Sequence, residues 1–304
     1  NWIMALYEDA AGSLWIGSNG EGMNRLRQGK LASIRTADGL WDGLAQTILE
    51  DRRGYFWMSC NRGFYRVARA IVLRVNHRED LFKYDDLIGG DVYVTNDVPH
   101  FVTIPTTAGT GSEVGRSAII ADDVTHQKKI LFSPKLLAKT VFADPMLTME
   151  LPGPVTAATG MDALTHNMEA FIAKMSHPMA EGIALEGMRL IVGSIEDAVK
   201  RPDLPSRGKM LIASLMGAVA FQKGLGVVHS LAHPLSSLLD THHGLANAVN
   251  LPYGMEYNIE GFEDRFRRMA RTMELKDESG AGIVARSEER RVGKECRSRW
   301  SPYH

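Results

Sequence analysis

Apolar positions change their rhythm along the chain. The first 66 residues alternate in short runs broken by Asp/Gly turns, the pattern of antiparallel strands. Beyond Pro152-Gly153-Pro154 the spacing becomes helical almost without interruption. Met161, Leu164, Met168 and Ile172 predict one helix with a buried stripe, and Ile183, Leu185, Met188, Ile191 and Ile195 predict a second. Pro202-Asp203-Leu204-Pro205 is expected to end that connection. A third helix is predicted from Met210 to Phe221, stopping at Gly224, where a helix C-terminus favours glycine. Another helix is expected to open near Gly244, and a charged amphipathic one to follow at 261–275. Between the two regimes, 68–73 has helical composition. Val92-Tyr93-Val94, 101–105, 117–120 and 139–143 read as short strands.

Glu8-Asp9-Ala10-Ala11-Gly12-Ser13-Leu14-Trp15-Ile16 is echoed by Glu50-Asp51-Arg52-Arg53-Gly54-Tyr55-Phe56-Trp57-Met58. The repeat distance of about 42 residues suits one propeller blade, and a turn at 36–40 lies between the copies. The pattern resembles two-component regulator propeller repeats, with only about one and a half blades present. A propeller needs several blades to cover its faces and edges. Residues 1–66 are therefore expected to be a β-propeller blade fragment.

The chain has 304 residues, room for two ordinary domains. Hydrophobic residues make up 44% and charged residues 23%, an ordinary globular balance. With 35 basic and 36 acidic residues, nothing points to nucleic acid or an acidic surface as partner. The two cysteines, Cys60 and Cys296, are too far apart in sequence for a disulfide framework or a cysteine metal site, which fits a reducing compartment. No apolar run is long enough to span a bilayer, so no membrane partner is expected. The start at Asn1 reads as truncated. The basic stretch 286–304 lacks apolar periodicity and resembles translated adapter or vector sequence, so a disordered or artefactual tail is expected.

Four of the ten histidines fall in one window, at His229, His233, His242 and His243. Imidazole is the commonest metal-binding side chain. Asp162 and His166, one helical turn apart, supply a second pair of donors beside the core stripe. Asp162, His166, His229 and His243 are the candidate ligands of one divalent ion. A carboxylate with up to three imidazoles suits Fe2+ or Zn2+ and disfavours calcium or magnesium. Each pair alone also admits a capped or solvated pair, or core histidines satisfied by backbone. The polar, glycine-rich turn at 106–113, Thr106-Thr107-Ala108-Gly109-Thr110-Gly111-Ser112-Glu113, leaves amides and hydroxyls free for a nucleotide, a weak signal taken alone.

Together, Ile104-Pro105 with the 106–113 turn, Ala143-Asp144-Pro145, the 157–166 stretch and the histidine window running into Gly244-Leu245-Ala246-Asn247-Ala248 resemble the iron-containing (group III) alcohol dehydrogenases, over about residues 67 to 275. The resemblance implies an α/β plus all-α fold: a partial Rossmann-like nucleotide domain at 67–150, then a helical, dehydroquinate synthase-like metal-binding domain at 151–285, with the active site in the cleft between. It implies Fe2+ or Zn2+ on Asp162, His166, His229 and His243. NAD or NADP would lie along Thr106, Thr107, Gly109, Thr110, Gly111 and Ser112. His233 would stand beside the metal as a catalytic proton relay or as an orienting residue, and His242 as a bystander. The implied reaction is NAD(P)-linked interconversion of a small alcohol and its aldehyde or ketone by a cytoplasmic enzyme, typically homo-oligomeric. The propeller part would be extracytoplasmic in its parent family.

The chain departs from that pattern where the family carries a Gly-Gly-Gly-Ser phosphate turn. Here the residues read Cys60-Asn61-Arg62-Gly63-Phe64-Tyr65-Arg66, and bulky side chains there oppose the close approach of a pyrophosphate. The first strands of the nucleotide domain and the final helices of the metal domain are also expected to be missing. A chimera joined near Arg66, with impaired cofactor binding, is the expectation. The alternative is a sensory propeller fragment carrying an inactive metal-binding helical domain. A metal lyase such as a dehydroquinate synthase is a further rival within enzymes, which the 106–113 turn disfavours by resemblance.

Overall fold

The short alternating segments at the N-terminus form an antiparallel meander in the computed structural model, which describes residues 3–8, 12–18, 23–34, 47–50, 56–59, 64–121, 128–239 and 241–291. Strands β1 (Ile3–Glu8), β2 (Leu14–Ser18), β3 (Met23–Arg27) and β4 (Lys30–Ile34) each pair with the next. Between β3 and β4, Gln28 and Gly29 both have positive φ, 49° and 73°, the I′ geometry whose twist suits a two-residue hairpin. β5 (Thr47–Glu50) and β6 (Phe56–Ser59) form a separate antiparallel pair. The expected turn at 36–40, the middle of the second repeat at 51–55, the 60–63 part of the departure from the phosphate turn, and Cys60 and Cys296 lie outside the described residues.

Downstream come α1 (Phe64–Asn76), β7 (Val102–Thr103), β8 (Ser117–Ala121), β9 (Lys128–Phe132) and β10 (Thr140–Val141). The helices that follow are α2 (Gly153–Ile172), α3 (Pro178–Val192), α4 (Ile195–Lys200), α5 (Leu204–Ala220), α6 (Val227–Leu238), α7 (His243–Tyr257), α8 (Glu263–Thr272) and α9 (Gly280–Arg291). No single helix among the described residues is long and apolar enough to cross a membrane.

The chain divides into two compact units, Asn1–Phe101 with Arg116–Leu137, and Val102–Gly115 with Ala138–His304. These cuts differ from the expected boundaries at 66/67 and 150/151. The reason is that β7 pairs in parallel with β10, which draws 102–115 into the helical unit. In the first unit, the antiparallel β8–β9 hairpin packs with α1 around Leu73, Tyr84, Ala118 and Leu131. Arg69, buried in that core, donates from Nε to Leu136 O at 3.0 Å and so binds α1 to the turn after β9. Of the expected Rossmann-like sheet, the described residues show one parallel pair, β7–β10.

In the second unit α2 is the central helix, packed by α3, α5 and α7. It is buried nearly all round from Gly160 to Ile172, which fits a helix with apolar or small residues on several faces. Phe171, Met168, Met188, Ile191, Met210, Leu211, Leu251 and Phe266 build the core around it. Each large side chain buried there contributes about 1.5–3 kcal/mol relative to exposure.

Several local expectations are corrected. Val92-Tyr93-Val94 is not a strand. Gly89 turns the chain at φ 71°, and Val94 N–H bonds to Asp91 O, so the Gly90–Tyr93 stretch closes a 3-10 turn and satisfies its backbone locally. The second helix is two, α3 and α4, parted at Gly193 and Ser194. The third starts earlier, because Asp203 and Ser206 form a reciprocal capping box and Pro205 sits in the first turn. At the C-terminal end, α9 runs past 286, with Ser287 buried and its Oγ donating to Ile283 O at 2.8 Å. The expected disorder from 286 therefore does not hold for 286–291, and 292–304 lie outside the described residues.

Candidate metal centre

Three helices bring the candidate ligands together, all within the second compact unit. Asp162 and His166 lie at i and i+4 on α2, side by side as helical spacing requires. His229 comes from the first turn of α6, and His243 is the first residue of α7. The crossing of α7 over α2 is close. A Cβ on Gly244 would lie 2.1 Å from Ala158 O, so only glycine lets His243 approach Asp162 along this path.

Ligand atoms of Asp162, His166 and His229 lie within 4.8 Å of one another, and all three residues are buried. Asp162 Oδ1 is the common point. It lies 3.8 Å from His166 Nδ1, 3.7 Å from His229 Nε2 and 3.7 Å from His243 Nε2. The His166 ring stacks on that of His229 with centroids 4.4 Å apart, and Phe221 flanks His166 at 4.9 Å. Thus all four residues singled out from the sequence meet at one carboxylate oxygen.

Other polar groups close in around this point. His229 Nδ1 lies 2.6 Å from Glu169 Oε2, and His243 Nδ1 lies 3.3 Å from Ser236 Oγ. Thr110 Oγ1 lies 3.4 Å from Asp162 Oδ2. Asn247 Nδ2 approaches Asp162 Oδ1 at 2.7 Å, His229 Nε2 at 3.1 Å and His243 Nε2 at 3.2 Å, while its Oδ1 is buried with no hydrogen-bond partner among the described residues. An amide NH2 has two protons for these three neighbours. With its histidines neutral the centre therefore holds more lone pairs than donors, a deficit that either a proton on an imidazole or a metal cation fills. With one oxygen and three imidazoles, the donor set fits iron or zinc.

The electrostatics agree. Burial alone would push the Asp162 carboxyl up, but His166, His229 and His243 outweigh it and hold it far below the ordinary carboxylate range. Burial opposes charge on His229, yet hydrogen bonds and charge from Asp162 and Glu169 raise it to about 9. Without a metal the carboxylate already draws positive charge inward. A bound ion would displace that proton.

His233 is exposed on α6, its ring 5.3 Å from His243 and 6.2 Å from His229. It stands at the edge of the cluster. His242 precedes α7 at its cap position, outside the ligand set. In the 106–112 loop, Thr106 is exposed, Thr107, Thr110 and Ser112 are half-buried, and Gly109 and Gly111 are buried. Both glycines face protein: a Cβ on Gly109 would lie 2.9 Å from Thr159 Cβ, and one on Gly111 would lie 2.3 Å from Ser214 O. Gly111 also has φ 59°. These two glycines seat the loop on α2 and α5, which sets Thr110 beside Asp162. Asp144 likewise caps the turn at Pro145–Thr148, accepting from Met146 N at 2.9 Å.

Sequence reasoning did not single out Glu169, Ser236 or Asn247. Glu169 follows Asp162 at i+7 and His166 at i+3, and Asn247 follows His243 at i+4, so helical spacing carried the signal.

The sequence matches the family described as iron-containing alcohol dehydrogenase over residues 65–145, and that described as Fe-containing alcohol dehydrogenase family, C-terminal, over residues 156–293. Residues 1–20 match the two component regulator propeller. A 4-hydroxybutyrate dehydrogenase of Cupriavidus necator is 42% identical over 228 residues, covering 72% of this chain and 59% of that protein. A crystal structure of 1,3-propanediol oxidoreductase superposes with a TM-score of 0.71 at 34% identity, covering 74% of this chain and 60% of the other. Sulfoacetaldehyde reductase from Bifidobacterium kashiwanohense, solved in complex with NAD+, gives a TM-score of 0.66 at 26% identity, covering 75% and 61%. The chain thus spans somewhat under two thirds of the length of these three relatives.

Proposed function

Since the chain belongs, across residues 65–145 and 156–293, to the iron-containing alcohol dehydrogenase family, we propose that its helical unit is the metal half of a metal-dependent, NAD(P)-linked alcohol dehydrogenase. The observation that carries this is the surplus of lone pairs converging on Asp162 Oδ1 from three helices. Asp162, His166, His229 and His243 hold Fe2+ or Zn2+. The ion, when bound, supplies Lewis acidity toward the substrate oxygen. NAD or NADP supplies the hydride chemistry.

The chain's own residues set the rest. Thr106, Thr107, Thr110 and Ser112 offer hydroxyls to the nicotinamide end of the cofactor, with Gly109 and Gly111 holding that loop in shape. His233, exposed at the edge of the histidine cluster, passes the alcohol proton between the site and solvent. The substrate class is a small primary or secondary alcohol, or the matching aldehyde or ketone. The names of the relatives point to short hydroxy compounds of the 4-hydroxybutyrate and 1,3-propanediol kind. A cytoplasmic, homo-oligomeric enzyme without nucleic-acid or membrane partners fits the family.

The sequence at 60–66 replaces the glycine-rich phosphate turn with bulky residues, so this chain binds its metal better than it binds NAD and turns over slowly if at all. On this reading residues 1–66 carry a propeller blade fragment joined near Arg66 to a partial nucleotide domain at 67–150 and a helical metal domain at 151–285, with Phe64, Tyr65 and Arg66 already in the first turn of α1. The four-stranded meander β1–β4 and the match at 1–20 support the blade. Metal content of the purified chain, NADH fluorescence titration and a panel of short diols and hydroxy acids test the proposal. Tight NADH binding with alcohol-dependent turnover contradicts the impaired cofactor site. Even coverage of independent genomic reads across the Arg66 and Val67 codons contradicts the junction.

A further inference from the structure

Helix α6 carries a metal ligand in its first turn, yet it starts on Gly226, which has no side chain to cap it. The first N–H groups of a helix need acceptors from elsewhere. Here they find one from α2. Glu169, fully buried, accepts from Val228 N at 2.7 Å through Oε1, and from His229 N at 3.3 Å through Oε2. Oε2 also lies 2.6 Å from His229 Nδ1, within hydrogen-bond distance. Gly226 leaves the room for this: a Cβ there would lie 2.7 Å from Glu169 Oε1.

We infer that Glu169 is the positioning residue of the metal centre, holding His229 by its ring and by the helix that carries it. This rests on the metal reading proposed above. A carboxylate accepts at both oxygens. It therefore keeps the proton of a neutral His229 on Nδ1 and leaves the Nε2 lone pair facing Asp162, while also satisfying the start of α6. Asp162, His166 and Glu169 fall at i, i+4 and i+7, so a single face of α2 provides two ligands and the group that orients a third. Ser236 does a weaker version of the same at His243 Nδ1, 3.3 Å away and on a neutral hydroxyl. The Glu169 contact is shorter, buried and charge-assisted.

A glutamine cannot do both tasks. If its oxygen caps Val228 N, its NH2 faces His229 Nδ1 and drives the ring to the tautomer whose Nε2 carries a proton. The test uses the full chain, stripped of metal and titrated with Zn2+ against a chromophoric chelator, and with Co2+ read by its visible absorption. Metal-free melting is followed in parallel. Glu169→Gln is expected to weaken Zn2+ binding about 10–100-fold and to alter the Co2+ band, with a smaller loss of metal-free stability than Glu169→Ala. Gly226→Ala, which crowds the carboxylate without removing it, is expected to weaken Zn2+ binding as well and serves if the Glu169 variants fail to fold. Zn2+ affinity within twofold of the parent in Glu169→Gln and Gly226→Ala, with only melting lowered, would assign Glu169 to helix capping alone and overturn the inference. If the parent itself binds neither ion, the metal reading fails, and this inference with it.

Discussion

The helical unit and the N-terminal meander satisfy their polar groups over different distances. In the helices, Thr165, Asn167, Glu169, Ser214 and Asn247 are fully buried. Their part of the structure is bound by pairs far apart in sequence: Arg207 to Thr156, Lys223 to Glu181, His229 to Glu169 and Asn247 to Asp162. In the meander the described side-chain contacts join adjacent strands. Ser33 bonds to Asn24, Arg25 lies over Trp15, and Leu6 and Leu31 are 60% and 62% exposed. A buried polar group without its partner costs far more than a solvated one. The helical unit is thereby committed to one arrangement, and that commitment is what would hold the proposed metal centre in shape.

The sharpest contrast is expected at the ion cluster beneath α2. Lys223, wholly buried, bonds to Glu181 Oε1 and to Phe171 O, and Arg265 shares the same carboxylate. Glu181→Leu should cost about 3–5 kcal/mol in urea unfolding, because it strands a buried ammonium. A loss below about 1 kcal/mol would place the cluster among ordinary surface pairs. Its pH dependence follows. Burial pushes Glu181 up, but Lys223, the His177 backbone and Arg265 outweigh it and lower it below the ordinary carboxylate value. Its contribution is therefore complete above that ordinary value and lost as pH falls through the depressed one. Glu181→Gln should flatten the stability–pH curve in that acidic window, and an unchanged curve would count against the cluster.

Next in size is Gly244→Ala. The added Cβ meets Ala158 O, so α2 and α7 must part. A cost of about 1–3 kcal/mol is expected, with metal affinity falling more than stability because His243 moves with α7. Gly111→Ala strains a left-handed residue against Ser214 O and should cost a similar amount. It should leave Zn2+ binding closer to that of the parent, since none of the proposed ligands lies on its loop, which meets Asp162 through Thr110. The smallest effect belongs to the meander. Leu31→Lys should change stability by no more than about 0.5 kcal/mol. A loss of several times that would show the exposed face to be covered, and the contrast between the two regions would narrow.

What was legible in the sequence was what a single helix or a short window contains. Asp162 and His166 stand one turn apart, and His229 and His243 lie in one histidine-rich stretch, so their meeting was open to sequence reasoning. Glu169 and Asn247 carried the same helical spacing, but nothing local distinguishes a carboxylate or amide that reaches a metal ligand from one on a solvated face. Their partners lie 60 and 85 residues away. The glycines of the 106–113 turn read as a place for a nucleotide; that Gly109 and Gly111 also seat the loop on α2 and α5 is something only tertiary packing reveals. Val92-Tyr93-Val94 has strand composition, and the left-handed Gly89 before it decides otherwise.

The central claim is that Asp162 is the common point of a metal centre, and metal content tests it most directly. The parent chain and Asp162→Asn are purified together, stripped, reloaded with Fe2+ under anaerobic conditions or with Zn2+, and analysed for bound metal. About one ion per parent chain is expected, with most of it lost in the variant, because an amide cannot supply the charge that draws the ion in. A parent that retains no metal, or an Asp162→Asn chain that retains as much as the parent, would contradict the account.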